Sequence, residues 1–249
     1  MVGTTDEQET ESIDKTTLRL PGEQDALVTA VARAARRTVV VVNPGTPMLM
    51  PWRDDVDAIV VAGIAGQEVG RAVAAALLSN IEPASRLASS IPVADGAAPA
   101  WNATPTDGAI VYQEGTRIGY RGHDAGLAPA PTYWFGHGLG YSTWDYSKVE
   151  TLPAGRSGVK VQLRNTGART SREVVQLYFR PAEEDEPVRL VGWAAVTLAS
   201  GAARTVEVEA SPHMLHRWDD VDGWVPLADD GEFIVARGLG DVRASVEQV

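Results

Sequence analysis

The chain has 249 residues, room for one large domain or two ordinary ones, and its 44% hydrophobic and 22% charged residues make a globular composition rather than a disordered or membrane one. A formal charge of -11 argues against a nucleic-acid partner, whose phosphates need clustered Lys and Arg, and the lack of cysteine excludes disulfides, thiolate metal sites and a Cys nucleophile. No apolar run approaches the roughly 20 residues of a bilayer-crossing helix, so no membrane is expected, and the acidic, polar start is not a signal peptide, which favours the cytoplasm.

Val2-Gly3-Thr4 reads as the end of a strand running into a loop, and Thr4 to Asp14 is acid-rich without apolar periodicity before Ile13. Leu27, Ala30, Val31 and Ala34 recur at i, i+3, i+4 and i+7, which predicts a helix burying that face. Thr38 to Asn43 is a continuous β-branched run closed by the turn signal Asn43-Pro44-Gly45, the pattern of a parallel strand covered on both faces. The cycle repeats with Ala58 to Ala62 as strand, Gly63 to Gly66 as turn, and a helix from Gln67 burying Val69, Ala72, Val73, Ala76 and Leu77. Alternating strands and helices predict an α/β sheet. Its two or three full strands are few for such a sheet, which predicts that the first strands, and with them the native N-terminus, have been cut away. The cytoplasmic expectation weakens accordingly.

Ile91 to Ala109 is loop-like, and two Gly-and-aromatic segments follow, Tyr112 to Asp124 and Tyr133 to Tyr146. The texture changes by Leu152-Pro153-Ala154-Gly155. Beyond it, Val159, Val161 and Leu163 alternate with polar residues, Asn165-Thr166-Gly167 turns the chain, and strands are expected at Val174 to Phe179, Leu190 to Leu198, Val206 to Ala210 and Phe233 to Ala236. The fold class is therefore α/β followed by all-β, divided as 1–146 and 147–249. The second part, as a complete sandwich, is expected to fold unaided.

The glycines from Gly63 to Gly70 lie between a strand and a helix, where phosphate loops occur, but the spacing is not G-x-G-x-x-G and a tight turn explains them better. His213 and His216 stand three apart without a further ligand, His123 and His137 are isolated, and no G-x-S-x-G motif is present. The carboxylates Glu9, Glu11, Asp14 and Glu114 receive no role from spacing alone.

Several strings together resemble family 3 glycoside hydrolases over essentially the whole chain. Glu9-Thr10-Glu11-Ser12-Ile13-Asp14-Lys15-Thr16-Thr17-Leu18-Arg19-Leu20-Pro21 is similar to that family's acid-rich loop, which usually reads E-G-x-D-R-x-x-L-x-L-P. The likeness continues through Gly66-Gln67-Glu68, Tyr112-Gln113-Glu114-Gly115 and Phe135-Gly136-His137-Gly138-Leu139-Gly140. Glu173-Val174-Val175-Gln176-Leu177-Tyr178, Leu190-Val191-Gly192-Trp193 and Trp218-Asp219 resemble the family's fibronectin-III-like domain, so the resemblance implies a partial α/β sandwich followed by that β-sandwich.

The resemblance also implies a retaining exo-glycosidase, chiefly β-glucosidase-like, acting on a β-glycoside (an oligosaccharide or an aryl or alkyl glucoside) without cofactor or metal. In the family a (β/α) barrel carries the nucleophilic Asp, and the α/β-sandwich domain lends the acid/base Glu. By position Glu11 matches that acid/base residue, while Glu9, Asp14 and Lys15 match neighbours that shape the loop. Ser12 replaces the usual Gly, Lys15 the usual Arg and Gly140 the usual Ser. If the family's Gly has a positive φ, Ser12 strains the loop. A barrel takes about 250 residues, so the nucleophile is expected on a separately encoded or upstream barrel, with this chain alone inactive. The alternative is a non-catalytic carbohydrate-binding or scaffolding module using Trp193, Trp218 and Trp224, residue types otherwise found in cores and domain interfaces.

Overall fold

A computed structural model describes residues 1–12, 14–101, 104–227 and 230–248; Ile13 of the acid-rich motif lies outside them. Three parallel strands, β1 (Val2–Gly3), β2 (Val39–Asn43) and β3 (Ala58–Val61), form one sheet in the order β1-β2-β3. Val2 is paired with Val42, so the expected strand end at Val2-Gly3-Thr4 is a strand. Val40, Val41 and Val42 are buried, as a β-branched run in a central parallel strand should be, whereas Val39 is exposed.

The first helix, α1 (Gln24–Ala34), is tied to β1 by its own first residue. Gln24 Oε1 accepts the Gly3 N–H and Gln24 Nε2 donates to the Gly3 carbonyl, both at 2.9 Å. A side-chain amide thus satisfies a strand's backbone in the manner of a neighbouring strand. The expected inner face of α1 is corrected: Leu27, Ala30, Val31 and Ala34 are exposed, and Val28 is the buried residue, packed with Val2, Val40, Val42 and Trp52. The helix carries two apolar stripes, and the Trp52 indole, donating to Asp25 Oδ1 at 2.8 Å, fixes which one faces the sheet. In α2 (Val69–Leu77) only Ala76 is buried, while Ala72 and Leu77, also expected inside, are exposed.

The rest is a β-sandwich. Strands β4 (Trp144–Thr151), β5 (Gly158–Asn165) and β8 (Ala203–Glu209) make one sheet. The other has the order β12-β11-β6-β7, from β6 (Ser171–Pro181), β7 (Arg189–Leu198), β11 (Gly231–Ala236) and β12 (Val242–Gln248). A hairpin of β9 (His216–Asp219) and β10 (Gly223–Pro226) projects beside them. Val159, Val161 and Leu163 have no exposed surface and share a core with Val175, Leu177, Phe179 and Val235. Strand β4 begins ahead of both 147 and Leu152, with Trp144 in the core, so the sandwich sheet reaches back across the expected change of texture. No helix among the described residues is long and apolar enough to cross a membrane.

The sandwich is not self-contained. Along β6 the residues pointing away from the core, Gln176 and Tyr178, are buried too. Tyr178 packs with Ile234 and Ala236 under Tyr120, at the start of α3 (Tyr120–Asp124), and under Phe135. Tyr120 stacks on Phe135 at 5.0 Å and meets Tyr178 edge-on at 5.9 Å, while Gln176 Nε2 donates to the Gly136 carbonyl at 2.9 Å. Gly136 has φ +80, and a Cβ there would overlap the Gln176 amide, so this close approach needs glycine. Cut free, the sandwich would expose the face of Tyr178 and Ile234 that Tyr120 and Phe135 cover.

Glu173 is fully buried at this junction and ion-paired with Arg86 from the first half and, at 3.2 Å, with Arg237 that follows β11. Removing the carboxylate leaves the nearly buried Arg86 guanidinium uncompensated and Arg237 with Asp241 alone, at 3.9 Å. Glu173→Ala should therefore lower unfolding stability by roughly 3–5 kcal/mol, read as a lower urea midpoint. A midpoint within error of the parent would show that the triad does not hold the two halves together.

Candidate active site

The acid-rich loop leaves the C-terminal end of β1 and returns to α1. Its first turn is local: the backbone N–H groups of Gln8 and Glu9 donate to the Thr5 carbonyl at 2.9 and 3.0 Å, and Gln8 Oε1 accepts from the Thr5 N–H at 3.0 Å. Its far arm is held from a distance. Asp95 accepts from the Leu18 N–H and the Thr17 hydroxyl, both at 2.7 Å, and the Leu18 carbonyl accepts from the Leu49 N–H at 2.8 Å.

Between these anchors Glu9 Oε1 accepts from Lys15 Nζ at 2.8 Å and from the Gly45 N–H at 3.2 Å. Lys15 Nζ also donates to Thr46 Oγ1 at 2.8 Å. Burial of Glu9 by itself favours the neutral acid, but hydrogen bonds from Lys15, Thr4 and the Gly45 N–H, with the charge of Lys15, outweigh it and hold the carboxyl below its ordinary value. Glu9 is therefore a fixed anion engaged in structure.

Glu11 is exposed and, among the described residues, makes no side-chain hydrogen bond. Ser12 follows with φ +65, the left-handed conformation that the family's usual glycine would take without strain. Glu11 lines an open cavity of about 460 Å³ with Glu9, Asp14, Lys15, Thr46 and Pro47. A neighbouring cavity of about 480 Å³ shares Asp14, Lys15 and Thr46 and adds Glu7, Gln8 and Arg19. Beside Leu18, Leu20, Pro47 and Met48 the walls carry carboxylates, hydroxyls and two cations, groups able to exchange protons and to hydrogen-bond a polyhydroxylated molecule.

The other sequence candidates lie elsewhere. Glu114 is half-buried in a turn, His213 is exposed, and His216 Nδ1 is within 2.7 Å of the Pro212 carbonyl. His123 is buried against Trp134 with Nδ1 at 2.7 Å from the Pro129 carbonyl, and burial pushes its pKa down. No group of three or more His, Asp or Glu among the described residues could hold a metal ion. Gly63 and Gly66 have φ +63 and +73, so the strand–helix turn itself requires them. Asp95 and Thr46 were invisible to sequence reading: Asp95 acts 77 residues away from Leu18, and neither belongs to a local pattern.

Residues 1–141 match the glycosyl hydrolase family 3 C-terminal domain, and residues 173–238 match a fibronectin type III-like domain. A beta-glucosidase of Rhizobium radiobacter is 37% identical over 260 residues, a match covering 99% of this chain and 32% of that protein. The crystal structure of DesR, a beta-glucosidase from Streptomyces venezuelae in complex with D-glucose, superposes with a TM-score of 0.89 at 33% identity, covering 96% of this chain and 32% of that one. A family 3 beta-glucosidase of Bifidobacterium adolescentis gives a TM-score of 0.90 at 27% identity, covering 99% and 38%. The chain thus spans about a third of the length of the curated relatives it matches. With a partial α/β sandwich, a fibronectin-III-like β-sandwich and a family model matched over more than half its length, the chain belongs to glycosyl hydrolase family 3.

Proposed function

We propose that this chain is the acid/base-bearing part of a retaining, β-glucosidase-type hydrolase, with Glu11 as the acid/base carboxylate. The nucleophile is supplied by a (β/α) barrel outside these residues, so the chain alone does not turn over glycosides, and the functional division falls near 146/147. The observation that carries the reading is the position of Glu11: exposed and unpartnered, on a loop held at both ends, at the place where the sequence matches the family's acid/base residue. Retention needs two carboxylates about 5–5.5 Å apart, one attacking the anomeric carbon while the other protonates the leaving oxygen and then activates water. An exposed carboxylate at a loop crest can enter such a pair when a second surface closes over it. That surface also excludes water. The substrate is a β-glycoside, the class acted on by the beta-glucosidases this chain resembles.

Joined to a family barrel, the protein should hydrolyse aryl β-glucosides. Glu11→Ala should then reduce kcat/KM by about 10²–10⁴-fold for alkyl glucosides, whose leaving groups need the proton, and far less for nitrophenyl glucosides at the glycosylation step. Equal losses for both leaving groups would remove Glu11 from the acid role.

Ser12 bears on the same loop. A non-glycine residue in the left-handed region costs about 1–2 kcal/mol, partly offset by the greater chain entropy that glycine loses on folding. Ser12→Gly should therefore stabilise the chain by about 0.5–1 kcal/mol, seen as a higher melting temperature. An unchanged or lower value would mean that the loop carries no strain there.

A second reading is favoured by one specific observation. Trp218 and Trp224 are register partners across the β9–β10 hairpin, 5.7 Å apart and 60% and 67% exposed, and Trp193 is exposed on β7. Such indoles offer apolar faces to the C–H face of a sugar ring, as a non-catalytic carbohydrate-binding module would. Millimolar cello-oligosaccharide should then shift the tryptophan fluorescence, and Trp224→Ala should abolish the shift. A flat titration removes this reading.

A further inference from the structure

We propose that Glu9 and Lys15 are positioning residues, which clamp the acid-rich loop onto the turn at 44–46 and thereby fix where Glu11 stands. The inference rests on the reading of Glu11 as the acid/base carboxylate, but its geometry is independent of that reading. The ion pair brackets the loop crest from both sides, Glu9 entering it and Lys15 leaving it. Each partner also reaches the same turn, Glu9 through the Gly45 N–H and Lys15 through the Thr46 hydroxyl. That turn directly continues β2, the central strand of the sheet, so the crest is referred to the best-supported backbone nearby.

Gly45 supplies a second observation. It is not among the positive-φ glycines, so its backbone places no demand for glycine. What a side chain would meet is the clamp: a Cβ at 45 would stand 2.5 Å from the Glu9 carboxyl carbon. The missing side chain makes room for a carboxylate, which ties residue 45 to residue 9 rather than to the turn. With half-exposed groups elsewhere the pair would resemble an ordinary surface ion pair of little consequence. Here Glu9 and Lys15 side chains are only 15% and 25% exposed, and each carries a further charge-assisted hydrogen bond.

The clamp is also electrostatically specific. Besides Glu9 and Lys15 themselves, the charged groups lining the two adjoining cavities are Glu7, Glu11, Asp14 and Arg19, three of them anions. Lys15 is the cation that pairs with Glu9 in this acidic setting. Because the hydrogen bonds from Lys15, Thr4 and Gly45 favour ionised Glu9, the clamp is complete above the ordinary carboxyl value of 4.5 and is lost as pH falls through the lowered folded value.

The test uses the 249-residue chain by itself. Glu9→Gln and Lys15→Met should each speed exchange of the Gly45 amide about tenfold, after correction for intrinsic rates, and lower the backbone order parameters of Thr10, Glu11, Ser12 and Asp14 to below about 0.6. Lys15→Arg should restore both. Gly45→Ala should loosen the crest in the parent chain and do nothing further in a Glu9→Ala background. Acidification through the lowered folded value of Glu9 should release the parent crest and leave the Glu9→Gln chain unchanged. An ordered crest in Glu9→Gln, or equal effects of Gly45→Ala with and without Glu9, would overturn the clamp. None of these readouts involves hydrolysis, so a failure of Glu11 as acid is told apart from a failure of the clamp.

Discussion

Glu173 is a carboxylate without access to water, and a charge in that position survives only with opposite charge beside it. Arg237 provides it from within the sandwich, and Arg86 from the half that carries the acid-rich loop. The pairing ties the start of β6 to the first half. Beside it the outer face of β6 is covered as well: Tyr178, Gln176 and Ile234 are buried, and Tyr120, Phe135 and Gly136 are their cover. The same junction surrounds His137, whose protonation is opposed by burial and then by the charges of Arg237 and Arg86. What reads as two domains in sequence is, at this seam, one packed body.

The strands and helices that proved legible in the sequence are those whose burial repeats with a fixed period. Val159, Val161 and Leu163 alternate because one face of β5 meets the core, and the valines of β2 run on because both faces are covered. Strand β4 escaped detection because a bulge between Ser147 and Glu150, with Lys148 at φ +49, breaks its alternation. The α1 error has a different source. Periodicity finds an apolar stripe but not its partner, and Leu27 with Val31 makes as good a stripe as Val28. Only the long-range contacts, Gln24 to Gly3 and Trp52 to Asp25, decide between them.

At the site, the resemblance supplied Glu11 and its neighbours, and the residues' own chemistry supplied almost nothing. A lone exposed carboxylate in an acidic chain looks the same whether or not it has a role. The supports were harder to see than the candidate itself: Asp95 and Thr46 meet the loop only through the fold. Ser12 is the exception, because its predicted strain depended on one backbone angle, and that angle is positive.

The contrast between Glu9 and Glu11 follows from these supports. Two residues apart on one loop, the first is held ionised by three donors and the second is left without any. A general acid must keep its proton until the leaving oxygen arrives, so the hydrogen bonds that steady Glu9 would disable Glu11 if they reached it. A loop that has to present such a group can be made rigid only through other residues. On the proposed reading, that is why the anion is spent on the clamp and the acid stands clear of it.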